Sequence, residues 1–259
     1  MIQYSKQADE RRDAEPMECW CLHGAVGMAA DWRAFAKTLA TAGIGSRALD
    51  LWRFLDCSPM PLPDFGKALN AEAAGEVSRG SSRALLGYSM GGRLALHALL
   101  EKGHPWQAAV IVSAHPGLES DHAARRASDT GWATRALAGN WQEFLDAWNS
   151  QSVLGNGPQR DRQVSGSLVM RRREIARSFV DWSLGAQQPL WDRLPEISIP
   201  VLWIAGENDP KFRALAERAV PLIPNGHLAV APAAGHRVPW EADGWFGDCV
   251  ASFLKLGRR

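Results

Sequence analysis

Short, nearly continuous apolar runs alternate along this chain with longer segments whose polarity suits a helix. Residues 17–22, 45–49, 83–87, 108–113, 200–205 and 227–231 each read as strands, and the almost continuous apolarity of 108–113 suits a strand buried on both faces. Residues 31–42 read as a helix, with Asp31 as its N-cap and Gly43 as its stop, and residues 92–102 as another. Between the second and third strands lies a stretch carrying Pro59, Pro61 and Pro63, which reads as irregular. The alternation predicts an α/β fold, a mostly parallel central sheet flanked by helices. The rhythm changes between Gly117 and Leu194, where the chain is helix-like, rich in arginine and tryptophan, and without a clear strand. That segment, residues 117–194, is expected to be a helical cap inserted into a core of residues 1–116 and 195–259. It should cover the carboxyl ends of the strands, where open α/β sheets place their sites.

The 259 residues suffice for one sizeable core, and a net charge of +1 creates no global field for nucleic acid or an anionic membrane. Residues 1–16 are polar and lack the apolar centre of a secretory signal, so they read as a disordered extension. No apolar run reaches the ~18 residues that span a bilayer. The cytoplasm is the expected compartment. Cys19, Cys21, Cys57 and Cys249 are too few and too scattered for a disulfide framework or a paired zinc motif, and no metal or cofactor is expected. Cys19 and Cys21 alternate within one strand and should share a face. Several of the twelve tryptophans fall in the middle third, where a lid would need large apolar surface.

The chemistry concentrates at Gly87-Tyr88-Ser89-Met90-Gly91, a Gly-x-Ser-x-Gly turn between an apolar strand and a helix-like segment. Such a turn lifts the serine hydroxyl above the sheet and leaves little room beside it, which Gly87, Gly91 and Gly92 respect. A serine hydroxyl is weakly reactive until an imidazole takes its proton, and the imidazole needs a carboxylate to fix its tautomer. Candidates follow in the order this fold uses. Asp209 ends the acidic loop after the strand at 200–205, and His236 lies in the small-residue loop after the last strand. Asp209 could instead cap the helix beginning near Pro210, and Glu207 competes for the acid role. His23 reads as a structural loop residue rather than a base. Two backbone N–H groups would form the oxyanion site, from Met90 and, in the loop after His23-Gly24, from Ala25.

Further runs are more specific. Gly87–Arg93, His115-Pro116-Gly117-Leu118, the segment 125–133 with Arg125, Asp129 and Trp132, the segment 144–151, and Gly206-Glu207-Asn208-Asp209-Pro210-Lys211-Phe212-Arg213 together resemble the 2-succinyl-6-hydroxy-2,4-cyclohexadiene-1-carboxylate synthases. These are lyases of the α/β-hydrolase superfamily in menaquinone biosynthesis. The resemblance runs from about Leu22 to about Phe253. It implies an elimination: a ring proton leaves 2-succinyl-5-enolpyruvyl-6-hydroxy-3-cyclohexene-1-carboxylate, pyruvate departs and a conjugated diene remains. It further implies that Ser89, with His236 and Asp209, acts as the base without an acyl intermediate. The substrate's three carboxylates give the arginines a purpose, since a guanidinium can hold a carboxylate through two parallel N–H bonds. The resemblance assigns that work to Arg93, Arg125 and Arg171, with Arg172 and Arg173 as alternatives to the last, and places Tyr88 and Trp148 in the pocket wall.

One departure stands out. The family commonly has Asp-Leu-Pro-Gly-His-Gly after the second core strand, whereas this chain has Asp50-Leu51-Trp52-Arg53-Phe54. Two other classes compete: a carboxylic-ester hydrolase using Ser89 as a nucleophile, and a non-catalytic ligand-binding or interaction protein on the same fold. The small-molecule reading predicts no nucleic-acid partner and no membrane span, and leaves the oligomeric state open.

Overall fold

The structure, a computed structural model, describes residues 17–56, 58–76, 82–154 and 167–256; the N-terminal extension and Cys57 lie outside them. Six strands form one sheet in the order β2-β1-β3-β4-β5-β6, every pairing parallel. They are β1 (Met17–Leu22), β2 (Gly45–Ala48), β3 (Ser82–Tyr88), β4 (Ala108–Val112), β5 (Val201–Gly206) and β6 (Gly226–Ala231). The α/β class and all six expected strands are therefore present, each within a residue or two of its expected bounds.

The period-2 geometry of strands splits the core between the two faces of the sheet. Trp20, Leu22, Leu85, Ala109, Ile111, Val201 and Trp203 belong to one buried cluster, with the helices Leu62–Gly75 (α2) and Met90–Leu99 (α3). Their sequence neighbours Cys19, Cys21, Leu86, Val110, Leu202 and Ile204 form the other, against α1 (Arg33–Thr41) and the C-terminal helix Asp243–Leu256. Cys19 and Cys21 do share a face, their sulfurs 4.0 Å apart.

Three local expectations need correcting. Asp31 does not cap α1 from outside. It lies in a 3-10 turn, Ala29–Trp32, and its carboxylate accepts the Met28 N–H at 2.9 Å. The proline-bearing stretch is only partly irregular, because Pro63 sits in the first turn of α2, where a missing N–H costs nothing. The helix after Ser89 begins at Met90 rather than at Gly92.

Between β4 and β5 the described residues hold α4 (His122–Ala138), α5 (Trp141–Asn149) and α6 (Arg172–Asp181), with no strand. Trp132, Phe144, Trp148 and Phe179 join these helices through edge-on ring contacts. Along one side the unit is fastened to the segment after β2. Arg177 donates to the Leu55 and Ser58 carbonyls, Trp182 Nε1 donates to the Met60 carbonyl at 2.8 Å, and the Met60 N–H donates to Asp181 Oδ2 at 3.0 Å. Asp50-Leu51-Trp52-Arg53-Phe54, the departing sequence, forms a 3-10 helix (Leu51–Leu55) with Asp50 accepting the Trp52 N–H.

The turn after β3 packs against β1 with no space for a side chain at Gly91, where a Cβ would lie 2.4 Å from the Leu22 carbonyl oxygen. That obstacle is backbone and cannot swing aside. Gly91→Ala is expected to destabilise the fold by about 3 kcal/mol or more, as overpacking against a fixed wall does. A urea titration reading the shift in midpoint checks it.

Candidate active site

Ser89 sits between β3 and α3 with φ 53° and ψ −110°, a conformation costly to a residue with a Cβ and kept only where its surroundings enforce it. Its N–H donates to the Val112 carbonyl, and its own carbonyl accepts from the Arg93 N–H. The His236 loop comes from the far side of the sheet, yet His236 Nε2 lies 3.1 Å from Ser89 Oγ, and His236 Nδ1 lies 2.8 Å from Asp209 Oδ2. The Asp209 and His236 loops meet closely: a Cβ on Gly206 would lie 2.1 Å from the Gly235 carbonyl oxygen. The chain thus brings together three side chains from the ends of β3, β5 and β6 in a serine–imidazole–carboxylate relay.

Asp209 makes a contact for each reading, one per oxygen. Oδ1 accepts the Phe212 N–H at 3.3 Å at the start of α7 (Pro210–Ala219), while Oδ2 faces the imidazole. Glu207 turns elsewhere, accepting the Ala233 N–H at 2.8 Å and so bracing the loop that carries His236. His23 is fully buried, with Nδ1 2.9 Å from the Gly24 carbonyl oxygen and Nε2 accepting the Leu51 N–H at 3.3 Å. Both nitrogens are occupied by backbone, which fits a structural residue.

A cavity of about 570 Å³ opens over Ser89 and His236, within the range of small-molecule sites. Ala25 and Met90 both line it; Met90 is the first residue of α3, whose first N–H groups have no carbonyl partner within the helix. Tyr88 and Trp148 also line it, Tyr88 with its ring 5.7 Å from His236. Trp148 is at the same time part of the aromatic packing against Trp132 and Phe179.

The arginines divide. Arg93 lines the cavity and is only 8% exposed; among the described residues it donates to neutral groups, the Trp182 carbonyl at 2.8 Å and Gln187 Oε1 at 3.2 Å. Burial, with repulsion from Arg125 and against the pull of Asp129, lowers its pKa to about 9. Arg125 also lines the cavity, its Nε held by both oxygens of Asp129 at 2.9 and 3.0 Å. Arg171 is absent from the cavity wall, contrary to the expectation. It pairs with Asp50 at 2.8 Å and Glu174 at 3.6 Å, so its charge fastens α6 to the segment after β2. Arg172 donates to the Ala136 and Gly139 carbonyls, and neither it nor Arg173 lines the cavity.

Residues to which sequence reasoning assigned no role, two of them inside the runs that carry the resemblance, complete the wall. Lys211 and Arg237 bring two more cations. Each adjoins the residue after an expected relay member or that member itself, a positional signal present in the sequence. His115 lines the cavity with Nδ1 accepting the Gly117 N–H at 3.0 Å; burial and the cations Lys211, Arg93 and Arg125 lower its pKa to about 4, so it is neutral at pH 7. Ser113, fully buried at φ 47°, lines the same cavity, its hydroxyl without a hydrogen-bond partner among the described residues.

Among known proteins, the serine aminopeptidase S33 family matches residues 64–243. The chain is 29% identical over 259 residues to the 2-succinyl-6-hydroxy-2,4-cyclohexadiene-1-carboxylate synthase of Pectobacterium atrosepticum, covering 92% of this chain and 95% of that one. A Bacillus subtilis protein, provisionally under the same name, is 33% identical over 177 residues, 66% of this chain and 65% of its own length, so the chain spans just under two thirds of that relative. In three dimensions the chain is similar to MenH from S. aureus, with a TM-score of 0.83, 24% identity, and coverage of 95% and 97%. The sequence resemblance thus holds in the names its relatives carry, and the fold in the shape it shares.

The two oxygens of Asp209 can be separated. Asp209→Asn keeps a helix-capping oxygen but offers the imidazole no carboxylate, so melting should be nearly unchanged while turnover falls by roughly 10³–10⁴-fold. Asp209→Ala should lose similar turnover and also about 1 kcal/mol of stability. Calorimetric melting beside a rate measurement checks both.

Proposed function

The chain belongs to the serine aminopeptidase S33 family and is an enzyme of the α/β-hydrolase superfamily; from that membership we propose that it eliminates pyruvate from 2-succinyl-5-enolpyruvyl-6-hydroxy-3-cyclohexene-1-carboxylate. The observation that carries the reading is Arg93, a buried guanidinium four residues after Ser89, bonded among the described residues only to neutral acceptors. Asp129 attracts it only from beyond hydrogen-bond contact, and a buried charge without a carboxylate directly bonded to it is expensive. A substrate carboxylate would supply that partner, whereas an ordinary ester would not. The curated relatives are named as synthases of 2-succinyl-6-hydroxy-2,4-cyclohexadiene-1-carboxylate, the product of this elimination, which supports the same reaction.

In this reading the ring hydrogen to be removed lies next to the succinyl ketone, which makes it acidic. Ser89 Oγ takes that proton as its own passes to His236 Nε2, and Asp209 stabilises the imidazolium. Negative charge develops on the ketone oxygen, where the N–H groups of Ala25 and Met90 receive it. Electrons shift through the ring, the C–O bond to the enolpyruvyl group breaks, and pyruvate enolate leaves; it takes up a proton at its methylene carbon to become pyruvate as His236 gives up the proton it gained, directly or through solvent. No acyl-enzyme forms. Arg93 and Arg125 hold carboxylates, Tyr88 and Trp148 shape the wall, and residues 117–194 act as a cap inserted in the core, excluding water from the reaction.

The competing reading is a carboxylic-ester hydrolase with Ser89 as nucleophile, favoured by the intact relay and the aromatic side of the cavity. Pyruvate release from the enolpyruvyl substrate, measured beside p-nitrophenyl ester turnover and labelling by a serine-directed phosphonate, separates them. Pyruvate release well above the uncatalysed rate, lowered by about 10³-fold or more in Ser89→Ala, is expected. Release at the uncatalysed rate with rapid ester turnover and labelling overturns the lyase reading.

The charge on Arg93 sets a second test. It is present below about pH 9 and lost above it. The ratio kcat/KM reports the free enzyme, so for an anionic substrate it should fall as pH rises through about 9. Arg93→Gln should lower the ratio at neutral pH and remove that alkaline limb.

A further inference from the structure

Lys211 and His115 are wall residues that neither the relay nor the expected guanidiniums account for. Lys211 stands in the first turn of α7, two residues after Asp209. A cation in a first turn opposes the helix dipole, so the helix gains nothing from it. Among the described residues Lys211 forms no ion pair; its Nζ lies 5.6 Å from the centre of the Phe212 ring, which lies 4.3 Å from that of His236. His115 is 8% exposed and is joined to Arg93 through Gln187, whose Oε1 accepts from the guanidinium at 3.2 Å and whose Nε2 donates to the His115 carbonyl at 3.4 Å. Because Nδ1 of His115 accepts the Gly117 N–H, the neutral ring carries its hydrogen on Nε2. That Nε2–H has no hydrogen-bond partner among the described residues. Three cations, Lys211, Arg93 and Arg125, act on this ring against one carboxylate, Glu119, which Arg218 already holds. A neutral donor in so positive a field selects an anion.

We propose that the His115 Nε2–H and the Lys211 ammonium form a carboxylate subsite beside Arg93 and Arg125, His115 giving it direction and Lys211 giving it charge. This rests on the polycarboxylate reading of the cavity and names an anchor in place of Arg171, which lies away from the wall. A hydrogen bond from an imidazole to a carboxylate is charge-assisted, and its loss weakens binding about tenfold. Lys211 is exposed, so its attraction is screened and contributes about threefold.

The test uses the full chain and two readouts: KM and kcat for pyruvate release, and the affinity for citrate, a tricarboxylate probe, by calorimetry at two salt concentrations. His115→Asn keeps an oxygen near the place of Nδ1 for Gly117 but removes the far N–H. It is expected to raise KM about tenfold, with kcat changed far less, and to weaken citrate binding by a similar factor. His115→Gln, whose amide reaches towards the Nε2 position, should recover part of the loss. Lys211→Gln should raise KM about threefold and flatten the salt dependence of citrate binding, whereas Lys211→Arg should do neither. Arg213→Gln removes the same charge from α7 at a residue paired with Glu217, and should leave KM and citrate affinity unchanged. Should His115→Asn fail to fold, the wild-type ring decides. Its long-range proton–nitrogen correlation spectrum must show Nε2 protonated at pH 7, with the Nε2–H resonance moving downfield as citrate binds. Unchanged KM and citrate affinity in His115→Asn or in Lys211→Gln, or a ring protonated on Nδ1, overturns the subsite, while pyruvate release by the wild type keeps the lyase. A wild type that releases no pyruvate yet binds citrate in a manner dependent on His115 retires the lyase and leaves the subsite standing; one that does neither overturns both.

Discussion

Two backbone crossings too tight for any side chain hold this site together. At one, Gly91 lets the start of α3 lie on the end of β1; at the other, Gly206 lets the Asp209 loop lie on the His236 loop. The first fixes Ser89 in its strained conformation and the second sets the spacing of acid and imidazole. These crossings position the loops that carry the relay, whose distances are 3.1 and 2.8 Å. Strain at Ser89 is tolerable because hydrogen bonds on both sides of the residue, to Val112 and from Arg93, leave the turn no alternative.

Electrostatics adds a second layer. Arg93 gives up hydration for neutral acceptors, and its lowered pKa records that cost. His115 stays neutral beneath the same cations, so it adds a hydrogen-bonding group without adding to the repulsion. The cavity combines an aromatic side from α4, α5 and α6 with a cationic side shared between α3, α4, the start of α7 and the loop after β6. Such a surface suits a small ring bearing several carboxylates.

Much of the fold was legible because the information is local. An apolar run of five or six residues declares a doubly buried strand, and the order serine, acid, histidine depends only on which strand ends carry them. The helix at Leu62–Gly75 was hidden by prolines, one of which occupies the first-turn position where the helix accepts it. Asp31 was read as an external cap because sequence does not distinguish a carboxylate before a helix from one reaching back inside its first turn. The arginines mark the sharper boundary. Alignment to a family pattern places Arg171 on the right segment, but its direction depends on Asp50, 121 positions earlier in the chain. The same limit concealed Arg237, whose neighbour His236 was evident while its own aim depended on Asn149.

The bonds that fasten α6 and Trp182 to the segment after β2 end mostly on main-chain atoms: the carbonyls of Leu55, Ser58 and Met60, and the amide of Met60. Every amino acid offers that carbonyl, and all but proline offer that amide. The letters at 58 and 60 are therefore free to drift without loosening these attachments, and a homologue could share the four main-chain bonds with no identical residue at 55, 58 or 60, keeping only Asp50 for its pair with Arg171. Alignment scores are blind to such conserved architecture.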